Sequence, residues 1–156
     1  MNAMLPMNAL PLHLSLQPFM KAGAQMTGDT RVLKAGDVML AYAVGNHRQS
    51  SDNRGYIVKA LNLGASLVLY EPEGIESLLS LDDLHLIQKD QRCVAVKGLA
   101  EQAGIIAAEW YQHPTRSMKV IGITGTNGKT TVSQWIAQAI QSKQEKVAVI
   151  GTLGAG

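Results

Sequence analysis

The feature that most constrains this chain is an apolar segment, Lys119 to Thr124, that runs into Gly125-Thr126-Asn127-Gly128 and continues as Lys129-Thr130-Thr131. Beyond it, Ile136, Ala139 and Ile140 recur at helical spacing up to Ser142. This order predicts a strand over 119–124, a tight glycine turn, and a helix from Thr130 to Ser142 with those three residues on its inner face. A helix entered straight from such a turn leaves its first backbone N–H groups without partners and points its positive dipole end at them, which makes an anion site. Gly125 and Gly128 let the backbone bend without a Cβ clash, Lys129 adds a cation able to reach outer phosphates, and Thr130 places a hydroxyl where it could complete a Mg²⁺ shell. The pattern suits a nucleoside triphosphate, with ATP and Mg²⁺ as the expected ligands. The commonest phosphate loop carries a glycine five residues before its Gly-Lys pair, where this chain has Ile123, so what remains is the shorter Gly-x-x-Gly-Lys-Thr. A purely structural turn with the same letters is the competing reading. The joint placement of the strand, Lys129, Thr126, Thr130 and Thr131 favours phosphate.

Upstream, the apolar run Val38 to Val44 reads as a buried strand, residues 45–55 as a polar loop, Tyr56 to Leu61 as a short helix ending near Gly64, and Ala65 to Tyr70 as a second strand. Strand, helix, strand implies a parallel sheet with a covering helix. Leu84 to Ile87 and Cys93 to Val96 read as short strands. Leu99, Ala103, Ile106 and Trp110 mark a helix over 98–112 that Pro114 stops, and Lys146 to Thr152 reads as a last strand. The expected fold is α/β: a small N-terminal α/β domain over residues 1–96, then the beginning of a parallel-sheet P-loop-type ATP-binding domain over residues 97–156.

Charge and cysteine usage narrow the partners. With 14 basic and 12 acidic residues there is no dominant field to attract nucleic acid or an anionic membrane. The lone Cys93 is expected in the core, in a reducing compartment. The apolar stretch Met1 to Met20 lacks a basic start and is broken by Pro6, Pro11 and Pro18, and no run reaches the roughly 20 apolar residues of a membrane span. A cytoplasmic monomer is expected. His13, His85 and His113 lack ligand spacing, Trp110 and Trp135 fall at core-like helix positions, and Asp82-Asp83 reads as an exposed acidic turn.

The stretch Val120-Ile121-Gly122-Ile123-Thr124-Gly125-Thr126-Asn127-Gly128-Lys129-Thr130-Thr131 resembles the ATP loop of the Mur ligase family, which joins an amine to a carboxylate through an acyl phosphate. Two further segments carry the resemblance: Asp29-Thr30-Arg31 followed by Lys34-Ala35-Gly36-Asp37-Val38, and Gly151-Thr152-Leu153-Gly154. Together they are similar to the member that adds the third stem-peptide residue. The resemblance covers Met26 to Gly156.

It implies that Gly125, Thr126, Asn127, Gly128, Lys129, Thr130 and Thr131 hold ATP, that Thr130 ligates Mg²⁺, and that Lys129 neutralises the transferring phosphoryl group. It implies also that the first domain binds the uridine diphosphate end of UDP-N-acetylmuramoyl dipeptide, and that a diamino acid, meso-diaminopimelate or lysine, is the second substrate. The implied substrate-binding residues for that end are Gly28, Thr30, Asn46, His47 and Arg48. On the residues alone, Gly45-Asn46-His47-Arg48-Gln49 reads as a solvated turn, longer than the family's loop. Thr30 and Asn46 offer hydrogen bonds suited to a uracil or ribose, and His47 and Arg48 could donate to diphosphate. Two alternatives stay open: the sister ligase that adds D-alanyl-D-alanine, and a self-contained nucleotide-binding module. A second metal ligand, a modified lysine and an amino-acid site are all expected beyond Gly156, so the chain reads as the N-terminal portion of a larger ligase, inactive alone.

Overall fold

The computed structural model describes residues 16–46, 49–152 and 154–155, with the backbone alone for 45–46, 49–50 and 154–155. Its contacts divide the chain into two compact units that meet between Pro114 and Thr115.

The first unit is built on a parallel four-stranded sheet in the order β1 (Met26–Thr27), β2 (Val38–Ala41), β5 (Leu67–Tyr70), β6 (Cys93–Ala95). Every residue of β2 and β5 is buried, as expected of parallel strands covered on both faces. Alternation sorts their side chains into two clusters. Met39, Ala41, Val68 and Tyr70 pack with Ile57, Ala60 and Leu61 of helix α1 (Ile57–Asn62) and with Ile87 of helix α2 (Leu81–Lys89). Val38, Leu40, Leu67 and Leu69 pack with Leu99, Ala103, Ile106 and Trp110 of helix α3 (Leu99–Trp110). The result is a three-layer α/β sandwich.

Several turns explain themselves. Helix α1 ends as the sequence suggests: Gly64 takes φ +88°, and a Cβ there would sit 3.0 Å from the Ala35 methyl. Buried Asp37 accepts from the Gln25 and Lys34 amides, each at 2.8 Å, and so closes the turn before β2.

Two expectations need correction here. Residues 84–87 are helical, because Ser80 caps the segment through the Asp83 amide (3.1 Å) and Asp82 and Asp83 lie in its positive first turn, with Lys89 in its last. The predicted polar loop contains an antiparallel hairpin, β3 (Ala43–Asn46) with β4 (Gln49–Asp52), which leaves β2 after Tyr42. Helix α3 packs within the first unit, where its four apolar anchors complete the core on the sheet face opposite α1, and the contact boundary lies after Pro114. Cys93 is buried as expected, and burial pushes its thiol up to about 12. The first 15 residues, His13 among them, lie outside the described residues.

The second unit is organised around helix α4 (Lys129–Gln141). Neither 119–124 nor 146–149 forms a ladder among the described residues, and regular pairing is limited to β7 (Ile150–Gly151) with β8 (Gly154–Ala155). A strand exists only by hydrogen bonding to a neighbour, and apolar character alone does not supply one. Ile121, Ile123, Ile136, Ile140, Val147 and Val149 instead line an open cavity of about 500 Å³. Ala137 is the one buried apolar side chain among the described residues of this unit, whereas Trp135 and Ala139, both expected inside, are exposed. No helix among the described residues is long and apolar enough to cross a membrane.

Candidate functional site

In the second unit, Gly125 (φ +144°) and Gly128 (φ +76°) both adopt backbone conformations that a side chain disfavours. Gly128 stands at the N-cap of α4 in the left-handed region, and no side chain caps the helix. A Cβ at Gly128 would meet nothing within 4 Å, so glycine is needed there for its φ and not for lack of room. The Lys129 ammonium folds back over the loop and donates to the carbonyls of Gly125 (2.6 Å) and Thr126 (3.3 Å). The helix ladder begins with the Val132 amide on the Gly128 carbonyl (2.9 Å).

Residues Thr124 to Thr131 are all exposed. The arrangement therefore presents an uncapped helix start, open space above Gly128 and a nearby cation, which fits a phosphate chain. Thr130 offers a hydroxyl on the first helical turn. No cluster of three or more His, Cys, Asp or Glu side chains able to hold a metal exists among the described residues.

In the first unit, the other candidates lie at the carboxyl ends of neighbouring parallel strands, the edge where open α/β sheets bind ligands. Gly28 to Arg31 follow β1, and the hairpin follows β2. Thr30 is buried, and Asn46 ends β3 opposite Gln49. His47 and Arg48, which fall between β3 and β4 in the sequence, lie outside the described residues. Asp29 accepts from the Arg31 backbone amide (2.9 Å) and grips its guanidinium (2.7 Å), which holds the carboxyl down to about 2.

That geometry recurs. Asp52 with Arg54 and Asp90 with Arg92 repeat the amide-to-carboxylate turn and the forked ion pair, each with its shortest contact at 2.6 Å, and in both the guanidinium holds the carboxyl below its usual range. The spare nitrogens do different work. Arg92 reaches the Leu61 and Ala65 carbonyls at the end of α1, while buried Arg54 reaches those of Glu71 and Glu73 after β5. Arg54, Tyr42, Glu71, Lys97 and Glu101 border an open cavity of about 790 Å³ at the same sheet edge. Glu71 also caps α3 by accepting from the Leu99 amide (2.8 Å).

Sequence reasoning singled out neither Asn53, Arg54 nor Glu71 as site-forming. The threefold Asp-x-Arg spacing was a readable signal for Arg54; Asn53 and Glu71 left none, since their partners are distant in sequence.

Comparison with known proteins fits this layout. Residues 123–156 match the Mur ligase middle domain. A protein of Ralstonia nicotianae named UDP-N-acetylmuramoyl-L-alanyl-D-glutamate--2,6-diaminopimelate ligase is 46% identical over 144 residues, 90% of this chain and 26% of that protein. The chain belongs to the Mur ligase family. Proteins of the same name from Pseudomonas aeruginosa (41% over 132 residues, 85% of this chain and 25% of theirs) and Pseudomonas putida (38% over 152 residues, 97% and 28%) extend the likeness over both units. The chain thus spans about a quarter of the length of these Mur ligases.

Proposed function

We propose that the chain is part of a cytoplasmic, ATP-dependent ligase of peptidoglycan precursor synthesis that adds 2,6-diaminopimelate to UDP-N-acetylmuramoyl-L-alanyl-D-glutamate. The observation that carries this reading is the uncapped α4 start, with two glycines at positive φ and the Lys129 ammonium across the loop, in a chain related throughout to ligases of that name. Those names also favour it over the D-alanyl-D-alanine ligase and over a free-standing nucleotide-binding module.

In this reading Gly125, Thr126, Asn127 and Gly128 cradle the phosphates through backbone amides, while Thr130 and Thr131 lie on the first turn, Thr130 toward Mg²⁺. Lys129 exchanges its two loop carbonyls for phosphate oxygens, a contact worth more because both partners are charged. A bound Mg²⁺ would supply charge neutralisation on the phosphates. The substrate carboxylate takes the terminal phosphoryl group with release of ADP; the incoming amine then attacks the acyl carbon, loses a proton and expels phosphate. Gly28, Thr30, Asn46, His47 and Arg48 serve the uridine diphosphate end of the acceptor, at the carboxyl edge of the first sheet.

Titration of MgATP into the wild-type protein and into Lys129→Ala tests the loop. Loss of a charge-assisted contact predicts a dissociation constant raised by about tenfold or more, with the thermal midpoint unchanged. Equal affinities would remove Lys129 from the site.

A further inference from the structure

We propose that Asn53 is a positioning residue for the uridine diphosphate site: one side-chain amide that locks the Gly28–Arg31 segment and the β3–β4 hairpin into a fixed relation. The inference rests on the reading that these two segments hold uridine diphosphate.

The Asn53 amide spends both of its donors and one acceptor lone pair on backbone. Its Nδ2 donates to the Gly28 carbonyl (2.8 Å) and the Leu40 carbonyl (2.9 Å), and its Oδ1 accepts from the Tyr42 amide (2.7 Å). Reversing the amide would set oxygen against two carbonyls and NH₂ against an N–H, so the orientation is determined. Tyr42 and Asn53 flank the Ala43–Asp52 pair, and their contact closes the base of the hairpin. The bond to Gly28 crosses to the segment after β1, 25 residues away in sequence.

Gly28 is shaped for this approach. A Cβ there would lie 2.9 Å from Asn53 Nδ2 and 3.3 Å from the Leu40 carbonyl oxygen, too close for either to stay. On either side of Asn53, Asp52 and Arg54 hold each other, and Arg54 also donates to the carbonyls after β5, so the backbone that carries the amide is itself fixed. Two ligand-contacting segments that leave adjacent strands must reach a set separation for one nucleotide to touch both, and a preset separation lowers the ordering cost of binding. Asn53 supplies it without touching the ligand.

Uridine diphosphate is the probe. It is titrated into the wild-type protein, Asn53→Asp, Asn53→Ser and Gly28→Ala, while backbone amide NMR signals of 28–31 and 43–52 are followed. Asn53→Asp keeps an acceptor for Tyr42 but turns oxygen toward two carbonyls. Asn53→Ser is the milder variant should the first fail to fold, and Gly28→Ala displaces the amide from the opposite side. The expected result is that wild-type signals of both segments move with one midpoint. In variants that keep wild-type circular dichroism and Trp110 emission, the dissociation constant rises at least tenfold and the two segments no longer titrate together. Wild-type affinity with joint titration in a folded Asn53 variant overturns the positioning role while leaving the site intact. Absence of any uridine diphosphate binding by the wild-type protein overturns the site reading, and this inference with it.

Discussion

The runs Val38–Ala41 and Val120–Ile123 are nearly interchangeable as sequence, each short, apolar and followed by a loop at a candidate binding edge. In the first unit the run is entirely buried, hydrogen-bonded on both sides to β1 and β5 and covered by helices on both faces. In the second, Val120 is 72% and Ile121 56% exposed, and no ladder forms. Strand character is therefore conferred by neighbours, while the glycine loop keeps its turn geometry from local chemistry alone: Gly125 and Gly128 at positive φ, and the fold-back of Lys129. Packing decides the first region and backbone permissiveness the second.

The largest effect expected from this contrast is on the first core. Leu69 is 1% exposed in the middle of β5, so Leu69→Ala should cost about 3 kcal/mol through lost transfer energy and an unfilled cavity. The two tryptophans report separately, since Trp110 lies in that core and Trp135 on α4. Chemical unfolding followed with Trp135→Phe, which leaves Trp110 as the probe, should show the full loss. A shift below about 1 kcal/mol would mean that the first unit is as loosely packed as the second.

What was legible in the sequence divides along the same line. The helix over 99–110 and the glycine loop were readable because periodicity and positive-φ residues are local signals. The hairpin was not, because Gln49-Ser50-Ser51-Asp52 carry no apolar alternation and pair only through backbone. Leu84 to Ile87 reads as a strand in isolation because four apolar-rich residues suit either state, and it is Ser80 and the acidic first turn that mark the helix. At the site, Gly28 and Thr30 were read through resemblance, whereas the Asn53 contacts span 11, 13 and 25 residues and leave no local trace.

A middle-sized effect tests whether polar anchoring, as well as apolar packing, separates the regions. Arg54 is 7% exposed and holds Asp52 and two carbonyls, so Arg54→Met should cost about 2 kcal/mol at neutral pH by stranding those acceptors. The guanidinium holds the Asp52 carboxyl below its unfolded value, so the folded state resists protonation more than the unfolded one. The stabilisation is complete above the unfolded carboxyl value of about 4 and is lost as pH falls through the lower folded value. The gap between wild type and Arg54→Met in urea midpoint should thus narrow on going from pH 7 to below about pH 4. A gap constant with pH would show that Arg54 acts through packing of its stem and not through the ion pair.

The smallest effect is expected where sequence reasoning foresaw a core residue. Trp135 falls at an apolar helical position, but it is 67% exposed, while Ala137 and the half-buried Ile136 and Ile140 form the inward side of α4. An indole that keeps most of its surface in water has little transfer energy to lose, and alanine is the better helix former. The two contributions nearly offset, so Trp135→Ala should change stability by less than about 0.5 kcal/mol, the range of ordinary surface substitutions. Its emission in the wild-type protein should be that of a hydrated indole and should be quenched by iodide, unlike that of Trp110. A cost approaching that of Leu69→Ala, together with protection from iodide, would mean that Trp135 is packed against a partner surface, and the contrast between a self-sufficient first core and an open second region would fail at this residue.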